Sequence, residues 1–242
     1  FPFAAGYLYF TQSVDAVFII GSLFFLIPYN VLMYGINDVY DYESDLRNPR
    51  KGGVEGAVVA KKYHRFLLTW SYAIPIPFVT ALVLLGNPAS AITLAACLFF
   101  VVAYSVKGLR FKEVPVLDSM TSSLHFVGPL IFALSLVGWP SAAWPIVIAF
   151  FLWGVASQSF GAIQDIQADR EAELRSVATV LGAKRTLWFS LVSYLLAAIL
   201  ATTLGVYGGI VGGAGLAYGA NPLPHLQGSG QSSGITNRGR KR

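Results

Sequence analysis

The stretch Asn37-Asp38-Val39-Tyr40-Asp41-Tyr42-Glu43-Ser44-Asp45 concentrates more oxygen-bearing side chains than any other part of the chain. On a helix advancing about 100° per residue, Asn37, Asp41, Asp45 and Asp38 fall at roughly 0°, 40°, 80° and 100°, so all four share one face. Glu43 points away from them. Three carboxylates crowded together repel one another, and near lipid they are costly unless cations or strong donors compensate them. A second set stands far along the chain, with Asp165, Asp169 and Glu173 at i, i+4 and i+8 and Gln158 two turns earlier on the same side. Mg2+ takes oxygen ligands in octahedral geometry and is commonly bound by a few carboxylates plus substrate phosphates. Two facing clusters of this kind could hold Mg2+ ions and clamp one diphosphate between them. Either cluster alone reads equally well as a solvated helix end paired with nearby Lys and Arg. Two clusters with matched spacing favour the metal.

Tyr104 and Lys107, at i and i+3 where an apolar run meets a basic loop, can present a hydroxyl and an ammonium together to an anion. Taken alone they are also ordinary belt and snorkelling residues of a membrane interface. Asp118, just inside the next apolar run, either orients Lys107 or Arg110 or caps the helix beginning near Leu117. His64 and His125 lack a ligand constellation and read as structural. The single Cys97, inside an apolar run, excludes a disulfide framework and a cysteine-built metal site.

These residues need a scaffold, and the apolar runs supply it. Val14 to Tyr40 is long enough to cross a bilayer and ends on the first acidic stretch, with Pro28 expected to kink it. Phe66 to Leu85 and Ala89 to Val106 form a hairpin at Gly86-Asn87-Pro88. Leu117 to Val137 and Ala143 to Gln164 form another at Gly138-Trp139-Pro140, closing on the second acidic stretch. Thr186 to Leu204 is a further span, and the glycine-rich Gly205 to Gly219 is predicted to be short or incomplete. Phe1 to Phe10 reads as the end of a helix already under way. Residues 1–219 are therefore expected to form one membrane domain, and 220–242 a polar basic tail without order.

Composition agrees. With 55% hydrophobic and 12% charged residues, the 242-residue chain falls among polytopic membrane proteins. Of its 17 Lys and Arg, 13 lie in the segments Arg47–Arg65, Lys107–Lys112 and Arg170–Arg185, and the other four in the last five residues. The alternate connections carry none, which makes the basic segments cytoplasmic by the positive-inside rule. The net charge of +5 does not indicate nucleic acid, because the cations are confined to loops beside apolar spans and interleaved with acids. Membrane lipids and an anionic substrate suit it better.

Asn37-Asp38-x-x-Asp41-x-x-x-Asp45, Tyr104-x-x-Lys107 and Asp165-x-x-x-Asp169 resemble, in order, the three signature motifs of the UbiA superfamily of intramembrane prenyltransferases. The resemblance implies an all-α bundle of about eight or nine transmembrane helices around a central lipid-accessible cavity with a cytoplasmic cap. It implies a multi-pass protein of a prokaryotic cell membrane, with the site on the cytoplasmic side. Asn37, Asp38, Asp41, Asp45, Asp165 and Asp169 would hold Mg2+. Arg50, Lys51, Tyr104, Lys107 and Arg110 would hold the diphosphate, and Asp118, Gln158 and Glu173 would support them. Asp41, Asp169, Lys107 and Tyr104 would carry catalysis. One departure is Asn48-Pro49-Arg50-Lys51-Gly52-Gly53, which replaces the Arg-Pro stretch common in the family. The wording of both acidic motifs, the first with Asn-Pro-Arg-Lys-Gly-Gly after it and the second as Gly161 to Ala172 with Ser176 to Gly182, is most similar to lycopene elongases. That implies a prenyl diphosphate donor, dimethylallyl diphosphate first, and a hydrophobic lipid acceptor such as lycopene. The alternatives are the same transfer to a quinone precursor, chlorin, haem or glycerol-phosphate lipid, or an ion-coupled transporter whose acids bind the coupling cation.

Overall fold

The computed structural model describes residues 1–46, 58–141 and 143–220. Among them the secondary structure is helical, with no strand. The apolar runs dictate this, because a backbone in hydrocarbon must satisfy its own hydrogen bonds. Six segments are long and apolar enough to cross a membrane: Ala16–Tyr40, Lys61–Leu85, Pro88–Ser105, Leu117–Val137, Ala143–Ala162 and Ala183–Thr202. Two further helices are shorter, α1 (Pro2–Thr11) with 10 residues and α13 (Gly205–Ala220) with 16. Among the described residues there are therefore six spans plus two shorter helices, and α13 is short, as expected of the glycine-rich run.

Prolines divide the first two spans. Pro28 separates α2 (Ala16–Leu26) from α3 (Pro28–Tyr40), as its missing N–H requires. Pro75 does the same between α5 (His64–Ala73) and α6 (Pro75–Leu85), a break not anticipated from sequence. The remaining spans are α7 (Pro88–Ser105), α8 (Leu117–Val137), α9 (Ala143–Ala162) and α12 (Ala183–Thr202). Three short helices, α4 (Tyr42–Asp45), α10 (Ile166–Glu171) and α11 (Val177–Leu181), follow the ends of α3 and α9.

Helix α8 is the centre of the bundle. It packs against α1, α7 and α9, while α12 lies on α9 and α13 on α12; α3 lies against α5 and α7, and α2 against α6. Of α8's most apolar stretch 67% is buried, against 33% or less in the other five spans. Its buried face carries Ser119, Thr121, Ser122, Ser123 and Gly128. Lipid gives no hydrophobic drive for helices to pair, so close backbone approach and hydroxyl bonds take that role. Ser123 Oγ donates to the Phe151 carbonyl at 2.7 Å, and Ser159 Oγ to Ser119 Oγ at 2.9 Å. On the α1–α3 side an aromatic cluster of Phe3, Phe24, Phe25, Tyr29 and Phe132 fills the core.

Gly154 fixes the α8–α9 approach. A Cβ added there would stand 2.9 Å from Ser123 Cβ and 3.1 Å from its Cα, closer than real contacts allow. Gly154→Val is therefore expected to destabilise the bundle by about 1–3 kcal/mol, read as a lower thermal midpoint in detergent. An unchanged midpoint would contradict this packing.

The two ends of the bundle differ in chemistry. At one end Asp15 caps α2 by accepting from Phe18 N–H, and Tyr7 donates to it at 2.8 Å. Those bonds hold the Asp15 carboxyl below the usual carboxylate range. At the same end Asn87 Nδ2 donates to the Ser135 carbonyl at 3.0 Å, tying the α6–α7 turn to α8. The other end gathers α4, α10, α11 and a 3-10 turn at Phe111–Glu113, and with them Lys61, Arg110, Lys112 and Arg175.

Candidate active site

Both acidic stretches are delivered by the same backbone device. Helix α3 ends at Tyr40 and α4 begins at Tyr42, with Asp41 between them at φ −95° and ψ −3°. After α9, Asp165 takes the same φ −95° and ψ −3° immediately before α10. Each long helix thus stops, turns and continues as a short cap helix. Asn37 Nδ2 reaches Ser105 Oγ at 3.4 Å, setting the first stretch beside the end of α7.

Between the two stretches lies a cavity of about 280 Å³. Asn37, Asp41 and Asp45 form part of its wall, Asp165 and Asp169 another part, and Tyr104, Asp118 and Gln158 reach it from the spans. Gln158 accepts a bond from Ser122 Oγ at 2.9 Å. The ring edge of Tyr104 meets buried His125, whose Nε2 lies 3.4 Å from the Phe100 carbonyl. His64 is likewise held by protein, Nε2 at 2.9 Å from the Val59 carbonyl.

Other expected residues stand elsewhere. Asp38 is half-buried and does not line the cavity. Lys107 is exposed and absent from the lining, because α7 ends at Ser105 and Val106 is extended at φ −67° and ψ 135°. Helical spacing from Tyr104 therefore does not carry through to Lys107. Glu173 is exposed with φ 58°, beyond the end of α10, so it leaves the face shared by Asp165 and Asp169. Arg50 and Lys51 lie outside the described residues, as does the tail from 221.

Arg110, expected at the site, is brought there by the same turn, together with Lys112 and Glu113, which sequence reasoning missed. Gly108 (φ 95°) and Arg110 (φ 40°) reverse the chain after α7 and bring Phe111–Glu113 back to the site. Lys112 and Glu113 join the cavity wall, and the Lys112 ammonium contacts the Asp41 carboxylate. Arg110 pairs with Glu113, lies 3.7 Å from Asp41, and donates to the Tyr40 carbonyl at the end of α3, where a cation suits the helix dipole. Ser44, Arg175 and Ser176 also line the cavity.

Among the described residues the wall holds six carboxylates, those of Asp41, Asp45, Glu113, Asp118, Asp165 and Asp169, against two cations, Lys112 and Arg175. Among the described residues, no three Asp, Glu, His or Cys side chains cluster closely enough to hold a metal by themselves. Mg2+ is usually held through one or two carboxylates together with substrate phosphates, so carboxylates divided between two sides of a cavity fit a metal that a phosphate helps to coordinate.

Asp118 has a different place from either one expected. Only 2% exposed, it accepts from Val177 N–H at 2.8 Å and from Ser119 N–H at 2.7 Å. It accepts from the first N–H of α11, beside the Ser176 cap.

The sequence matches the UbiA prenyltransferase family over residues 1–227. The chain belongs to that family. Its UbiA fold is also that of a UbiA homolog from Archaeoglobus fulgidus solved with DMAPP and Mg2+, with a TM-score of 0.67 at 20% identity, covering 97% of this chain and 84% of that one. The chain is 52% identical over 221 residues to a lycopene elongase/hydratase of Corynebacterium glutamicum, covering 90% of this chain and 77% of the relative. It is 54% identical over 201 residues to the C(50) beta-cyclic carotenoids biosynthesis protein LbtBC of Dietzia sp., covering 82% of this chain and 46% of that protein. The match thus spans less than half the length of the Dietzia protein. This UbiA family member is a multi-pass integral membrane protein, by its six spans and by its family.

Proposed function

We propose that this protein transfers a prenyl group from an allylic diphosphate, dimethylallyl diphosphate first, to a hydrophobic acceptor of the lycopene type, with Mg2+ as cofactor. The observation that carries the reading is the excess of carboxylate among the described residues of the cavity, six against two cations. A diphosphate cannot enter such a site against that charge unless divalent cations accompany it. The acceptor class is supported by the two relatives that act in carotenoid biosynthesis by name, and the donor by the DMAPP of the Archaeoglobus structure.

When bound, Mg2+ would supply Lewis-acid stabilisation of the departing diphosphate. Asp41 and Asp45 on one side, and Asp165 and Asp169 on the other, are the groups to hold it. Lys112 supplies positive charge where the leaving group gains negative charge, and Tyr104 offers a hydroxyl to it. The allylic C–O bond breaks with its electron pair going to the diphosphate. The resulting allylic cation is attacked by the π electrons of a terminal double bond of the acceptor, forming the new C–C bond. The tertiary cation so produced loses a proton or takes up water. The surrounding apolar helices shield the cation from bulk water. The site lies on the cytoplasmic side in this reading, because Lys61, Arg110, Lys112 and Arg175 share its end of the bundle.

An ion-coupled transporter would place its acids near the bilayer midplane at broken helices, whereas these acids stand where long helices give way to short caps. Incubation with labelled dimethylallyl diphosphate and lycopene, followed by lipid chromatography, tests the reading. Label in a longer carotenoid is expected, dependent on Mg2+ and abolished by a chelator. Magnesium-dependent donor loss without carotenoid product would overturn the acceptor and leave the transfer chemistry.

A further inference from the structure

We propose that Asp118 is a positioning residue for the second carboxylate cluster, acting on Asp169 through the corner formed by Ser176 and Val177. The proposal rests on the metal reading above. Asp118 sits in the first turn of α8, the most buried helix, and a carboxylate there is tolerable only with donors. It receives three bonds: Val177 N–H at 2.8 Å, Ser119 N–H at 2.7 Å and Ser119 Oγ at 3.2 Å. Bonds to an ionised acceptor are the stronger class.

Val177 is itself fully buried beside Ala162 and Ala178, so Asp118 and an apolar contact hold the same corner. The residue before it completes the link. Ser176 Oγ donates to Asp169 Oδ2 at 3.1 Å and accepts from Thr179 N–H at 3.3 Å as the cap of α11. A hydroxyl has one proton to donate, and here it is directed at Asp169. The path therefore runs from Asp118, itself part of the cavity wall, to Asp169 in two hydrogen bonds. Asp118 orients Asp169 in the way that partners behind a metal ligand do, and loss of such a partner typically weakens metal binding about 10–100-fold.

The test is Mn2+ binding, followed by electron paramagnetic resonance on the purified full chain with a non-hydrolysable thiolodiphosphate analogue of the donor. Asp118→Asn, whose amide oxygen can serve only one side, and Ser176→Ala are each expected to raise the Mn2+ dissociation constant about tenfold. The double variant should be no weaker than the weaker single one, because both act along one path. Multiplying effects would show that Asp118 acts on the metal independently, and would overturn the proposal. Parental affinity in Ser176→Ala, which keeps the Asp118–Val177 bond, would overturn it even if Asp118→Asn did not fold. If the parental chain bound no Mn2+ saturably, the metal reading itself would fall. Parental binding with insensitive variants would overturn this proposal alone.

Discussion

Asp41→Ala and Asp169→Ala are each expected to lower turnover by about a thousandfold or more, in protein that still inserts and folds. Asp41 is 7% exposed, at the break between α3 and α4, and it faces Lys112 and Arg110. Alanine there removes a metal-holding oxygen and leaves Lys112 free to repel an incoming cation, so both changes oppose catalysis. The backbone loses nothing: Asp41 N–H still bonds the Asn37 carbonyl, and Asp45 N–H the Asp41 carbonyl, at 2.8 Å each. Asp169 lies within α10, one turn after the Asp165 break, as Asp45 follows Asp41, and is bonded by Ser176. Its loss removes the Ser176 bond at the cap of α11, outside the spans. Donor turnover measured beside thermal unfolding separates the two effects. Most of the activity surviving in either variant, with folding intact, would contradict the two-cluster site.

The second large effect distinguishes two lysines of one loop. Lys112→Met is expected to raise the donor KM about 10–100-fold, the equivalent of losing one charge-assisted hydrogen bond. Met retains much of the unbranched stem, so packing at this mostly buried position changes little. Lys107→Met is expected to leave donor affinity unchanged, because Lys107 is exposed and outside the cavity. Steady-state kinetics on the pair decides between them. A loss of affinity on replacing Lys107, with none on replacing Lys112, would restore the reading based on helical spacing.

That contrast shows where local spacing stops informing. Asn37, Asp41 and Asp45 were legible because they share one face across the end of a span, and a short break at Asp41 does not undo that. Asp165 and Asp169 were legible for the same reason. Lys107 and Glu173 stand off the cavity wall for one reason, since each was placed by continuing a helix past its end: α7 stops at Ser105, and α10 at Glu171. Lys112 reaches the site only through the left-handed Gly108 and Arg110. Arg110 at φ 40° has no sequence signature of that turn. The partner of Asp118 was out of reach for a different reason. Val177 is distant in sequence, and its contribution is a backbone N–H that every residue but proline possesses. The spans themselves were easily read, because hydrocarbon leaves an apolar run few alternatives to a helix. The break at Pro28 followed from the ring, while the equivalent break at Pro75 was passed over within an equally apolar run.

The central claim is that the carboxylate excess makes a divalent cation obligatory for donor binding. Equilibrium binding of labelled dimethylallyl diphosphate to the purified protein, in chelator and then in Mg2+, tests it without relying on any acceptor. The account predicts no saturable binding in chelator and saturable binding once Mg2+ is added. Equal affinity in both conditions would contradict it and would show that the cations of the site suffice alone.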